Sequence, residues 1–200
     1  MPCSSTSEAR RLAGLALAGL WLAAALPAAS APQVRIDRFP GGALKAETAL
    51  DDFGLPHGLR REFDPDGHLV AERRYEHGLL EGPSRLYYPN GQLKTEWHYR
   101  EGKRHGLSVG YYPDGTLKDK GRYQEDRLEG KVYLYYPDGK LKAELLFHDD
   151  RQHGLSQTYY PEGKIKQRFV YDNGRLIQLQ RYDPKGTLIQ EQKFDRHQPR

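Results

Sequence analysis

Four sets of residues in this 200-residue chain have types and spacings that chemistry could use. Gly106-Leu107-Ser108-Val109-Gly110 spells the G-x-S-x-G of a serine nucleophile. That motif works when a strand, a sharp turn and a helix present the hydroxyl. His57, Glu81, His105, Glu129 and His153 recur every 24 residues with imidazole and carboxylate alternating. Such a row suits proton exchange near neutrality or a divalent metal. Tyr88, Tyr112, Tyr136 and Tyr160 form a column with the same spacing, and tyrosine anchors many protein interfaces because it joins apolar area to a polar tip. Lys94, Lys118, Lys142 and Lys166, extended by Lys45, form a basic column of the kind that anionic lipid or glycan attracts.

The elements that must position these residues come from a repeat. Pro65-Asp66-Gly67, Pro89-Asn90-Gly91, Pro113-Asp114-Gly115, Pro137-Asp138-Gly139, Pro161-Glu162-Gly163 and Pro184-Lys185-Gly186 lie 24, 24, 24, 24 and 23 residues apart, with a degenerate copy at Phe39-Pro40-Gly41-Gly42. Leucine or isoleucine follows each glycine by two residues, and mostly an aromatic by eight. A second glycine column runs Gly58, Gly82, Gly106, Gly130, Gly154. In Tyr-Pro-Asp-Gly, proline presets φ for the turn and glycine supplies the left-handed residue that closes it. Side chains alternate along a strand, so Leu93, Thr95, Trp97 and Tyr99 share one face. Each unit reads as a β-hairpin, with the second glycine and its neighbour Glu101-Gly102 or Asn173-Gly174 making the return turn. Because a lone hairpin is marginal, stacked hairpins of about 13 strands are expected.

This frame weighs the four candidates. Ser108 falls in a strand, at the position of Ser84 and Ser156, so its motif reads as a coincidence of register. Equivalent His/Glu residues sit two strands apart, about 9.6 Å, too far for one ion to bridge; the ordinary reading is a polar turn position. The tyrosines admit ordinary cross-strand packing as well as an exposed stripe. Glu47, Glu72, Glu96, Glu144 and Glu191 interleave with the lysines and blunt their field.

Residues 1–31 read as a secretory signal peptide, with Arg10-Arg11, an uncharged run Leu12 to Leu26 and the small residues Ala29-Ser30-Ala31. Periplasmic or secreted localisation is expected, with an uncleaved inner-membrane anchor as the other outcome. The only cysteine, Cys3, lies in this segment, so the mature chain has neither disulfides nor thiolate metal sites. Net charge is +4, too modest for a dedicated nucleic-acid binder. The first 31 residues hold 19 hydrophobic ones, while all 14 tyrosines fall at or after Tyr75. The body is therefore poor in aliphatics, which fits a thin, turn-rich β structure.

Gly82-Pro-Ser-Arg-Leu-Tyr-Tyr-Pro-Asn-Gly-Gln-Leu-Lys-Thr-Glu and Gly130-Lys-Val-Tyr-Leu-Tyr-Tyr-Pro-Asp-Gly-Lys-Leu-Lys-Ala-Glu resemble the MORN repeat in its bacterial variant form. In particular the chain resembles the YwqK-type proteins, named as antitoxin components of toxin–antitoxin pairs. Arg181-Tyr182-Asp183-Pro184-Lys185-Gly186 is also similar to the YD repeat of Rhs-type shells, and the Tyr-Tyr-x-x-Gly hairpins to choline-binding repeats. The MORN resemblance, over residues 39–194, implies hairpin arrays that bind protein or lipid and carry no catalysis.

The resulting expectation is an all-β, elongated antiparallel β-hairpin meander of about six to seven 24-residue units. It comprises a signal peptide (1–31), an irregular cap with a degenerate repeat (32–57), the repeats (58–194) and a polar tail (195–200). The expected role is an exported, non-enzymatic interaction module, antitoxin- or immunity-like or a scaffold, with an envelope lipid or glycan binder as the alternative. Neither cofactor nor metal nor nucleic-acid partner is expected.

Overall fold

The computed structural model describes residues 33–195. The expected export segment and the last five residues of the polar tail lie outside the described residues. Within them there is no helix, and fifteen strands form one antiparallel sheet. The strands are β1 (Gln33–Arg38), β2 (Leu44–Leu50), β3 (Pro56–Phe63), β4 (Leu69–Glu76), β5 (Leu79–Tyr87), β6 (Leu93–Arg100), β7 (Lys103–Tyr111), β8 (Leu117–Gln124), β9 (Arg127–Tyr135), β10 (Leu141–His148), β11 (Arg151–Gln152), β12 (Gly154–Tyr159), β13 (Ile165–Asp172), β14 (Arg175–Tyr182) and β15 (Leu188–Lys193). They follow chain order across the sheet, so every connection is local. The total exceeds the expected thirteen for two reasons. One strand is interrupted at His153 into β11 and β12, both paired with β10. The expected irregular cap is instead a regular hairpin, with β1 and β2 paired from Gln33–Leu50 to Arg38–Leu44.

The two sheet edges carry different turns. At the proline edge Gly91 N–H donates to Tyr88 O (2.9 Å) and Tyr88 N–H donates to Gln92 O (2.8 Å). Gly91 sits at φ +79°, the left-handed residue of a type I turn with a bulge. At the opposite edge β2 and β3 are joined by the longer turn Asp51–Leu55, whereas from β4 onward that edge uses two-residue turns with both residues at positive φ, for example His77 (45°) and Gly78 (85°). This hand matches the twist of the flanking strands.

The second glycine column is not in that turn, which corrects the sequence reading. Gly82 lies inside β5, where Glu81, Gly82 and Pro83 stand opposite Arg74 alone, between the pairs Tyr75–Leu80 and Arg73–Ser84. Its φ of +78° makes it a bulge glycine. On its other side it pairs with Tyr99, and an aromatic likewise stands across from Gly58, Gly106, Gly130 and Gly154. A large ring beside a glycine supplies the packing that the glycine lacks.

Among the described residues the sheet has no second layer, and the core reflects it. The most buried residues are small: Ala46, Ala71, Ala143, Thr48, Ser84, Ser108 and Ser156, with Leu179 the one large exception. They share one face, where the register alternates them with bulky neighbours. Ser84 stands between Arg73 and Trp97, and Ser108 between Trp97 and Gly121. The bulky side chains are only half-buried. They lean over their small neighbours, so burial is obtained within a single layer of side chains. At the N-terminal end the same face carries ions: Glu62 bonds Arg60 (2.8 Å) and Arg73 (2.6 Å).

Gly130 has open space around the position of a Cβ, whereas a Cβ on Gly154 would lie 3.0 Å from Leu146 Cδ2. Gly130→Ala should therefore lower stability through φ alone, by about 1–2 kcal/mol. Gly154→Ala should cost more because Leu146 must also move. Urea midpoints at unchanged m-value check both.

Candidate interaction surfaces

The tyrosine column joins the repeats. Tyr88 O–H donates to Tyr111 O (2.9 Å), Tyr112 to Tyr135 O (2.8 Å), Tyr136 to Tyr159 O (2.8 Å) and Tyr160 to Tyr182 O (2.9 Å). The rings are half-buried, and each hydroxyl is spent on the next hairpin. At Asp64 and Asp183 the column changes role. Each carboxylate instead accepts amides of its own turn, from Asp66 and His68 and from Thr187 respectively. Among the described residues the ladder of hydroxyls thus runs from Tyr88 to Tyr160 and stops at Asp183.

The lysine column and the tyrosine column form one feature. Leu93 pairs with Tyr87 and Thr95 with Leu86, which leaves Lys94 as the extra residue of a bulge. Lys45, Lys118, Lys142 and Lys166 occupy the same bulge in their hairpins. In the hairpins of Lys45, Lys94, Lys142 and Lys166 the bulge aims the ammonium over the aromatic at its own turn. Lys94 lies 5.5 Å from the Tyr88 ring centre, Lys142 5.7 Å from Tyr136, Lys166 5.6 Å from Tyr160 and Lys45 5.8 Å from Phe39, within cation–π range. Where the turn residue is Asp64 or Asp183, the bulge residue is Val70 or Ile189 instead. Lysine appears in the hairpins where a ring can receive it.

The His/Glu column also has a specific task. Glu81 accepts the amide of Glu101 (2.8 Å) and Glu129 that of Asp149 (3.1 Å), while His57 and His153 accept the amides of His77 (3.4 Å) and Asn173 (3.3 Å) through Nδ1. A carboxylate oxygen and an imidazole nitrogen are both acceptors, so the position takes either residue. His105 departs from this, its Nδ1 lying 3.4 Å from Glu125 Oε1. The second turn residue completes the join. Gly102 N–H donates to Leu80 O and Asp126 N–H to Arg104 O, both at 2.9 Å. Asp126 and Asp150 replace glycine in the left-handed position, and their carboxylates accept the amides of Arg104 (3.0 Å) and Leu128 (2.7 Å) in the preceding repeat.

Ser108 sits mid-strand in β7, between Trp97 of β6 and Gly121 of β8, and is buried. Its hydroxyl is in the packed row rather than on an elbow. Ser156, at the same repeat position, accepts the Leu146 amide (3.1 Å) that the bulge leaves without a ladder partner.

The opposite face carries charge. Glu47, Arg61, Glu72, Arg85 and Glu96 pair across successive strands, with Arg61–Glu72 at 3.1 Å and Arg85–Glu96 at 2.6 Å. Tyr87 O–H donates to Glu72 (2.7 Å). Burial first, then this bond, pushes the Tyr87 hydroxyl up to about 12, and the same bond holds Glu72 below its usual range. Among these charges stand Leu59, Leu107 and Leu155, 40%, 47% and 49% exposed. They are four strand steps apart, about 19 Å. The sequence reading passed over them. Their signal was the residue after the second glycine, which runs Leu59, Pro83, Leu107, Lys131, Leu155 in step with the His/Glu alternation. A groove of about 390 Å³ adjoins Leu107, lined by Lys120, Arg122, Lys131 and Tyr133.

Strand order, paired bulges and repeat-to-repeat clamps at both edges define a β-hairpin repeat protein of 24-residue units. The MORN repeat variant family matches residues 56–77, 80–101, 104–125, 128–149 and 152–173, and the chain belongs to that family. Each match opens two residues before a bulge glycine and closes on the first residue of a two-residue turn. The β1–β2 and β14–β15 hairpins lie outside the matches yet continue the same sheet. Comparison with curated proteins finds no match.

Tyr136→Phe deletes one inter-repeat bond and keeps the ring under Lys142. It should cost about 0.5–1.5 kcal/mol. Lys142→Met should stay within about 0.5 kcal/mol, as a cation–π pair at an exposed site contributes little. Chemical denaturation of both variants, with the double mutant, checks the values and their coupling.

Proposed function

We propose that this repeat protein is an exported, non-catalytic interaction module that binds a protein partner in the periplasm or outside the cell, as an antitoxin- or immunity-like protein or a scaffold. The repeat family supports a protein-binding or scaffold role at the coarser level. The observation that carries the finer reading is the row Leu59, Leu107 and Leu155, large apolar side chains left in solvent on a face otherwise laced with ion pairs. Contiguous apolar patches mark partner surfaces; these leucines, about 19 Å apart, suit an extended partner that lies across alternate repeats. Beside Leu107, Lys120 and Arg122 supply cations in a groove that Glu129 also lines, while Lys131 is paired with Glu144 at 2.6 Å. The partner that suits them presents apolar side chains flanked by carboxylates. The Tyr88, Tyr112, Tyr136 and Tyr160 edge contributes through the outer parts of its rings, since its hydroxyls serve the fold. Export rests on residues 1–31 alone.

A second reading, binding to an anionic lipid or glycan surface, is favoured by Lys94, Lys142 and Lys166, which stand in a row with their ammonium groups over rings. Salt separates the two, because exposed charges are screened within about 8–10 Å at physiological ionic strength.

Tagged chain captured from the envelope and analysed by mass spectrometry should retain one protein partner in 0.5 M salt. Leu107→Glu should abolish the capture and leave the melting temperature nearly unchanged, as a surface substitution does. Binding only to anionic vesicles, lost at that salt and in Lys94→Ala/Lys142→Ala/Lys166→Ala, would establish the lipid reading instead. Cell fractionation with N-terminal sequencing tests export.

A further inference from the structure

Asp51, His57 and His77 come from three different columns of the repeat and meet where the first hairpin adjoins the first full repeat. Asp51 opens the turn between β2 and β3, His57 lies in β3, and His77 is the first residue of the β4–β5 turn. One carboxylate oxygen and one nitrogen of each imidazole lie within 4.8 Å of one another. His77 Nδ1 is 2.9 Å from Asp51 Oδ2, and the two ring centres are 4.7 Å apart. The carboxylate is fixed. Its side chain is 10% exposed, and Oδ1 accepts the amides of Phe53 (3.0 Å) and Leu55 (2.9 Å), which leaves Oδ2 aimed at His77.

We propose that Asp51, His57 and His77 bind one divalent transition-metal ion of the zinc type. Two imidazoles and one carboxylate are the donor set of such ions, whereas Ca²⁺ and Mg²⁺ prefer all-oxygen ligands. Zn–N and Zn–O bonds of about 2.0–2.2 Å set tetrahedral ligand atoms about 3.4 Å apart, so the His77–Asp51 pair at 2.9 Å opens slightly and the wider separations, up to 4.8 Å, close. Rotation of two exposed imidazoles closes the difference. The ion replaces the His77–Asp51 hydrogen bond, and the neutral His77 ring keeps its single proton on the nitrogen that faces solvent.

The other repeats lack this set. The positions of His57 and His77 hold Glu81 and Glu101, His105 and Glu125, Glu129 and Asp149, and His153 and Asn173. Histidines of one column are too far apart to share an ion. This site escapes that limit because its ligands come from different columns. The bound ion ties the β2–β3 turn to the β4–β5 turn, fastening the N-terminal end of the array independently of any partner.

Zn²⁺ alone is titrated into the tag-free, chelator-treated full chain, with calorimetry and thermal unfolding as readouts. The expected result is one saturable equivalent and a raised melting temperature, with Mg²⁺ inert. His57→Gln keeps an acceptor for the turn amide, and His77→Asn copies Asn173 in the equivalent turn, so both should keep the fold, with each variant's own metal-free melting temperature as the reference for its shift. Each should weaken Zn²⁺ binding by more than the roughly hundred-fold upper range for loss of an outer-shell partner and remove the thermal shift. His68→Ala, in the neighbouring Asp64-Asp66-His68 group, should change nothing. In the wild type, Co²⁺ should selectively broaden the ring resonances of His57 and His77. The proposal is overturned by no saturable Zn²⁺ binding, by binding that survives both substitutions, by loss of binding in His68→Ala, or by broadening centred on other histidines.

Discussion

A sheet one layer thick has nothing to pack against, and the rest of this structure answers that constraint. In an ordinary domain a second layer covers the apolar face. Here the fully buried positions are alanine, serine and threonine, and larger neighbours lean across them. That arrangement buries little area per residue, so hairpins must also be fastened to one another. The bulge glycines make the fastening possible. By placing three residues opposite one, each kinks its strand and brings the next turn over the preceding repeat. The turn amides then reach a backbone carbonyl and a His or Glu side chain there. Without a residue comfortable at φ near +80° the clamp would be strained in every copy.

The proline edge is fastened by different chemistry to the same end. A tyrosine hydroxyl crosses to the next hairpin, and a bulge turns a lysine over the ring. The substitutions at the ends of the column obey this logic. Asp64 and Asp183 lose the crossing bond and satisfy their own turns, and the bulge residues beside them become Val70 and Ile189. Repeat arrays depend on nearest-neighbour terms and need distinct ends. Asp64 and Asp183 are the two positions where the tyrosine column ends and the turn is satisfied by its own carboxylate.

With both edges committed to cohesion, what remains for other molecules is set by what the clamps leave unused. The charged face keeps three leucines in solvent at alternate repeats. The first copy, where a longer turn carries Asp51 toward His57 and His77, brings together a carboxylate and two imidazoles, a set that the equivalent positions of the other described repeats lack. Both features follow a departure from the 24-residue pattern rather than the pattern itself. The repeat builds the scaffold, and irregularities in it are where individual chemistry appears.

The sequence by itself determined the hairpin unit, its period and its order. Pro-Asp-Gly and its variants encode a turn through local φ preferences, and strand alternation placed Leu93, Thr95, Trp97 and Tyr99 on one face. These are short-range consequences of covalent geometry, legible in a single copy. Contacts between residues 20 to 23 positions apart were not legible. Gly82 looked like part of a turn because a left-handed glycine serves a turn and a bulge equally well, and only the cross-strand register tells them apart. The tyrosine and lysine columns looked like two separate surfaces because a bulge inverts the alternation that linear reading assumes. The His/Glu column looked merely polar because its partner, a backbone amide, has no side-chain identity to read. The N-terminal segment looked irregular because the Asp51–Leu55 turn lacks the usual residues, and it is a regular hairpin because its strands still find neighbours. Only the tertiary structure decided these points, because they depend on which strand lies alongside which and in what register, and hydrogen bonds between repeats select that register.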